Sequence, residues 1–146
     1  MQKTNNKSLA AKPFVVAIDL GGTNCRAVLA DLDGLIVSHL QEPTAPQAPA
    51  LRAQILSVVQ QLLEQASTLG GAVSTVCLGF PGIVHPTSQK IRQAPNVAGM
   101  ELAELQPELS RALGLPVHLE NDVNLAALAE YHLRHGAGVD SLAFIA

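Results

Sequence analysis

The stretch FVVAIDLGGTNCRAVLADLDGLIVSHL, residues 14–40, decides the fold class. Residues 14–20 form a short apolar, β-branched run, the pattern of a buried strand. Gly21-Gly22 interrupts it. Residues 25–32 and 35–40 read as two further strands, and Asp33-Gly34 between them is a strong two-residue hairpin signal. The opening is therefore three consecutive strands, with a tight turn after each of the first two. Residues 1–13 are polar and read as a disordered leader.

Beyond this meander the periodicity changes. Pro43, Pro46 and Pro49 mark a loop. Leu51, Ile55, Val58, Val59, Leu62, Leu63, Ala66 and Leu69 then recur at helical spacing, and Gly70-Gly71 closes that helix. Residues 75–79 read as a buried strand turned by Pro81-Gly82, and residues 83–96 as an irregular hairpin. A short helix is expected with Pro107 at its first position, ending before Gly114. Residues 117–120 read as a strand, residues 122–135 as an Ala/Leu-rich helix closed by Gly136, and residues 142–146 as the start of another strand. The order β-β-β-α-β-α-β-α-β gives an α/β domain with a mixed sheet over residues 14–146.

Composition narrows the function classes. The chain has 146 residues, enough for one domain, with 48% hydrophobic and 14% charged residues. Aromatic residues are 3%, Trp is absent and the net charge is −3. No basic run or stacking platform supports nucleic-acid binding. No stretch reaches the apolar length of a membrane span, and no apolar segment near the N-terminus reads as a signal peptide. A cytoplasmic protein is expected, with Cys25 and Cys77 as buried, reduced thiols. The five histidines, His39, His85, His118, His132 and His135, are scattered and read as surface residues, so no metal site is expected.

Three constellations carry chemistry. In the first, Asp19-Leu20-Gly21-Gly22-Thr23-Asn24, glycines allow close approach of the backbone to a phosphate, and successive N–H groups can form an anion nest. Thr23 can donate to a phosphate oxygen, and Asp19 can hold Mg²⁺, usually through water. A plain hairpin turn with a capping Asp explains the same residues. In the second, Glu120-Asn121-Asp122 stands at a strand end and opens a helix. Asn and Asp are favoured helix N-caps. The same place is also where α/β sheets bind ligands, and the helix dipole favours an anionic side chain there. In the third, Gly79-Phe80-Pro81-Gly82 and Ala94-Pro95-Asn96 are turns whose backbone can line a small pocket. Asn96 offers a donor and an acceptor to a pair of hydroxyls.

Taken in order, AIDLGGTNCRAVLAD, GFPGIV, QAPNVAG, LGLPVHLENDVNLAALAE and HGAGVDSLAFIA resemble the ROK family of sugar kinases and repressors, above all its bacterial glucokinase-like members. The resemblance runs from about Phe14 to Ala146. It implies a ribonuclease H-like domain of the actin/hexokinase type, one of two around a cleft. It implies ATP with Mg²⁺ as phosphoryl donor system and a hexose, glucose by default, as acceptor. Asp19, Gly21, Gly22, Thr23 and Asn24 would form the first phosphate loop. Asn96, Asn121 and Asp122 would bind the sugar, and Asp122 would be the catalytic base. His85 and Gln89 depart from the Asp and Gly that the family often has in that segment.

Family kinases continue with a second phosphate motif, G-T-G-x-G, and a second domain that commonly carries a Cys/His zinc site. This sequence contains neither, so the 146-residue chain alone is expected to bind ATP poorly and not to turn over. Homodimers are common in the family, but no residue here specifies an interface. The family's DNA-binding repressors carry a helix-turn-helix ahead of the first strand, which residues 1–13 are too short to form. A fragment of such a regulator, an inactive half-domain that binds sugar, and an actin-like or chaperone-type ATPase are the alternatives. Polyphosphate is an alternative donor.

Overall fold

The structure is a computed structural model that describes residues 11–93, 104–135, 138 and 140–145. Asn96 and Gly136 lie outside the described residues. Strands β1 (Lys12–Leu20), β2 (Asn24–Asp31) and β3 (Ile36–Pro43) form the expected meander. Helix α1 (Ala48–Thr68) leads into β4 (Gly71–Phe80), and a small hairpin of β5 (Ile83–Val84) and β6 (Ile91–Gln93) follows. Helix α2 (Leu105–Leu113), β7 (Val117–Asn121) and α3 (Asp122–Glu130) complete the order, with a π-helical turn over Tyr131–His135. The five-stranded sheet runs β3-β2-β1-β4-β7. The meander pairs antiparallel, whereas β4 lies parallel to both β1 and β7. The sheet is therefore mixed, as expected.

One face of this sheet carries the core. Alternate residues Phe14, Val16, Ile18 and Leu20 of β1 are buried, in phase with Ala27 and Leu29, with Leu78 and Phe80, and with Val117 and Leu119. Leu51, Ile55, Val58, Val59, Leu62 and Ala66 of α1 and Leu105 and Leu109 of α2 close over them. The period of two on the strands thus meets the period of 3.6 on the helices. The opposite face is only partly covered. Ala17, Asp19, Arg26 and His118 are exposed there, and α3 contributes no buried residue.

Several boundaries differ from the sequence reading. Lys12 and Pro13 belong to β1 rather than to a leader, because β1 extends along β4 (Lys12↔Gly71, Pro13↔Ala72) beyond its ladder with β2. Pro13 therefore removes no N–H from the β2 side. Four residues, 32–35, separate β2 from β3, rather than two. Asp31 N donates to Leu35 O at 3.0 Å, and Gly34 N donates to Asp31 O at 3.1 Å. Gly34 sits at φ 85, the left-handed residue of such a loop. The Asp31 carboxylate accepts from the N–H groups of Asp33 and Leu35 and so holds the longer loop.

Both prolines near helix starts lie inside the first turn. Pro49 follows Ala48 at the second position of α1, and Pro107 is at the third position of α2. N–H groups in a first turn have no intrahelical partner, so neither proline breaks a bond. Residues 142–145 are not a strand. Apolar content alone suggested one, but a strand exists only when paired, and this segment has no ladder partner among the described residues.

Candidate functional site

The ends of β1, β4 and β7 lie side by side. Asp19 is in register with Gly79, and Gly79 with Glu120, so the turn after β1 and the start of α3 share one corner of the sheet. Gly79 keeps them close. A Cβ there would stand 3.2 Å from Leu125 Cδ1 and 3.4 Å from Ile18 O. Asp19, Gly79, Asp122 and Leu125 line one cavity of about 330 Å³ on the open face. The fold thus brings together Asp19 and Asp122, 103 residues apart in sequence.

The glycine turn is tight. Gly21 N donates to Asn24 O at 2.9 Å. Neither Gly21 nor Gly22 has positive φ, so the left-handed region is not the reason for glycine here. At Gly21 space is the reason. A Cβ on Gly21 would approach Asn24 O to 3.1 Å, whereas Gly22 faces open space. Among the described residues the N–H groups of Gly22 and Thr23 have no acceptor. Two free donors beside an unfilled space suit an anion, so these residues fit a phosphate group. Asp19 is half exposed, and its Oδ2 pairs with Arg26 Nη1 at 3.3 Å, leaving Oδ1 for a hydrated cation. Asn24 is half-buried, and its Oδ1 lies 3.5 Å from Gln41 Nε2.

At the second corner Asn121 is the N-cap of α3, its Oδ1 accepting from Asn124 N at 3.0 Å. Its Nδ2 donates to Gly82 O at 2.9 Å and to Asp122 Oδ1 at 3.1 Å. Both amide hydrogens are thus engaged, and one lone pair of Oδ1 is left. Asp122 occupies the first helical position. Its Oδ1 also accepts from Val123 N at 2.9 Å, while Oδ2 has no described partner. The carboxylate is held at one oxygen and open at the other. Glu120 Oε1 accepts from Asn121 N and from Asn124 Nδ2, bracing the same turn.

The two departures at His85 and Gln89 have local explanations. His85 Nδ1 accepts from Ser88 N at 3.2 Å, the bond an Asp side chain makes in such a turn. Gln89 adopts φ 56, a conformation that favours glycine. Its side chain offsets that strain by accepting from Leu119 N at 2.7 Å on β7 and donating to Pro86 O. Of the other histidines, His39, His118 and His132 are exposed, and the side chain of His135 lies outside the described residues. Cys25 is buried and Cys77 half-buried; both are free thiols. Burial raises both thiol pKa values, with the charges of Glu42 and Asp19 adding to the rise at Cys25. Among the described residues no cluster of metal-binding side chains exists, and no helix is long and apolar enough to cross a membrane.

A family model described as "ROK family" matches residues 15–146. The chain belongs to the ROK family. A glucokinase of Streptomyces coelicolor is 31% identical over 125 residues, covering 86% of this chain and 38% of that protein. The ROK family glucokinase of Streptomyces griseus, solved with glucose and AMPPNP, is 31% identical with a TM-score of 0.70, over 87% of this chain and 38% of that one. A ROK family transcriptional regulator, a homologue of the E. coli MLC protein, has a TM-score of 0.77 at 25% identity, over 88% of this chain and 33% of that one. The ROK domain here thus has the actin/hexokinase-like α/β fold expected of it. The chain spans about two-fifths of the length of the glucokinases it matches.

Sequence reasoning gave no role to Arg26 or Thr44 and named Glu120 only within the Glu120-Asn121-Asp122 constellation, although each touches this site. Arg26 was within reach: in a hairpin whose turn is Gly22-Thr23, Asp19 faces residue 26. Thr44 was not, because its contacts depend on how the loop after β3 folds back.

Proposed function

We propose that this ROK domain serves ATP-dependent phosphorylation of a hexose, supplying the first phosphate loop and the catalytic base. One observation carries the reading: Asp122, with one carboxylate oxygen unengaged, shares a cavity with Asp19 at the end of the glycine turn. Asp19, Gly21, Gly22, Thr23 and Asn24 hold the donor's phosphates and its Mg²⁺, the free N–H groups of Gly22 and Thr23 facing the anion. MgATP, when bound, supplies the phosphoryl group and neutralising positive charge. Asp122 Oδ2 accepts the proton of the sugar hydroxyl as that oxygen becomes the nucleophile. Asn121 orients Asp122 through Nδ2 and offers the sugar its remaining lone pair, and Asn96 adds a further hydroxyl contact. Glucose is the favoured hexose. ATP is favoured over polyphosphate by the AMPPNP complex of the Streptomyces griseus relative. The protein acts in the cytoplasm, away from membrane and nucleic acid.

The test is a coupled assay over a panel of hexoses with MgATP, using the full product of the gene. Asp122→Asn should keep the fold and lower turnover by about 10²–10⁴, the loss expected for a general base. A near wild-type rate removes Asp122 from that role. The 146-residue chain by itself should not turn over, and detectable hexose phosphorylation by it would refute that. A second reading, sugar binding without phosphorylation within a regulator, draws on the likeness to the MLC homologue. It predicts hexose affinity with no turnover in the full product.

A further inference from the structure

Gly21 O accepts from Thr44 Oγ1 at 2.7 Å, and Thr23 O accepts from Thr44 N at 2.9 Å. One residue of the loop between β3 and α1 thus grips two carbonyls of the glycine turn. The geometry has a direct consequence. In a planar trans peptide the C=O and the following N–H point in opposite directions, and no described peptide is cis. Holding Gly21 O toward Thr44 therefore aims Gly22 N–H away from it. Holding Thr23 O likewise aims Asn24 N–H away.

Thr44 is itself held from both sides. Gln54 of α1 accepts from Ala45 N through Oε1 at 2.9 Å and donates from Nε2 to Pro43 O at 2.8 Å. The same Nε2 lies 3.2 Å from Glu42 Oε2. A small cavity of about 100 Å³ is lined by Gly21, Gly22, Thr44, Ala45 and Pro81 among others. A turn bordered by unfilled space is held by its hydrogen bonds, and Thr44 supplies two of them.

We propose that Thr44 is a positioning residue that sets the orientation of the phosphate-loop amides, with Gln54 of α1 securing it. The loop's affinity for the donor's phosphates, rather than for sugar, then depends on this pair. This second statement rests on the reading given under Proposed function. The first does not.

The experiment uses the full product of the gene, wild type and the variants Thr44→Val, Thr44→Ser and Gln54→Leu. Amide exchange and MgATP titrations are followed by NMR at Gly21, Gly22 and Thr23, with Leu78 in the core as reference. In Thr44→Val, exchange protection at Gly21 should fall about tenfold, the scale of one lost hydrogen bond. Leu78 should be unchanged. The MgATP response at Gly22 and Thr23 should weaken by a similar factor. Thr44→Ser, which keeps the hydroxyl, should restore both, and Gln54→Leu should reproduce part of the loss. Unchanged protection and unchanged MgATP response in Thr44→Val would overturn the proposal. So would an equal loss at Leu78 that Thr44→Ser fails to repair. If the wild-type loop ignores MgATP while Thr44→Val still deprotects Gly21, the positioning role stands and the phosphate reading falls.

Discussion

The two faces of the central sheet are built on different terms. Under α1 and α2, side chains from four strands and two helices interlock, and Leu62, Leu78 and Val59 have no exposed surface. On the other face α3 buries no residue, Leu128 is half exposed, and the cavity between Asp19 and Asp122 stays open. The packed face holds the backbone of β1, β4 and β7 rigid. The open face is thereby free to carry polar groups at the strand ends. A site formed by two carboxylates and free N–H groups needs that division, since burying such groups without partners is costly.

The sharpest test of this division is Asp122→Asn. It should cost about 10²–10⁴ in turnover of the complete protein and leave the denaturant midpoint of the chain unchanged. A large drop in stability would mean that the open face is structural after all. Next in size, Leu62→Ala on the packed face should destabilise by about 2–5 kcal/mol, read from chemical denaturation.

Gly79→Ala links the two faces. The new methyl presses on Leu125, which can yield by a few tenths of an ångström because α3 is loosely held. Stability should change by less than about 1 kcal/mol, while displacement of Asp122 lowers turnover about tenfold. Equal losses in both would show α3 to be firmly docked.

A smaller, pH-dependent effect is expected at Asp31. Hydrogen bonding from Leu35 N, then its pairing with Lys12, holds this carboxyl below its ordinary range, although burial opposes them. A depressed folded-state pKa stabilises above the unfolded value of about 3.9. The contribution is lost as pH falls through the folded value. The stability gap between wild type and Asp31→Asn should therefore be full at neutral pH and narrow steadily below about pH 4. A gap independent of pH would remove the charge from the account. Smallest of all, Leu128→Ala on the open face should shift stability by less than about 0.5 kcal/mol.

Much of the packed face was legible in the sequence. The apolar run of β1 and the spacing from Leu51 to Ala66 follow from burial, which a pattern of residue types records directly. The β5–β6 hairpin was legible as an irregular one. The candidate site was half legible. Asp19 with its glycines and Asn121-Asp122 stand out as local motifs, and each sits at a strand end as expected. Less visible was the division of labour at Asn121, whose capping bond and tie to Gly82 leave it one free lone pair. Residues 142–145 misled because hydropathy reports a wish for burial, not the presence of a partner strand.

The sequence by itself determined the order of elements as far as the helix that opens at Asp122, the apolar positions of the core and the family. Those depend on residue type and spacing along the chain. Only the tertiary structure decided that Asp19 and Asp122 share one cavity, that Thr44 grips the glycine turn, and that Gln89 can occupy a conformation suited to glycine. Each of these depends on groups far apart in sequence meeting at distances of a few ångströms. Strand register and the return path of loops set such distances, and no local pattern of residues encodes them.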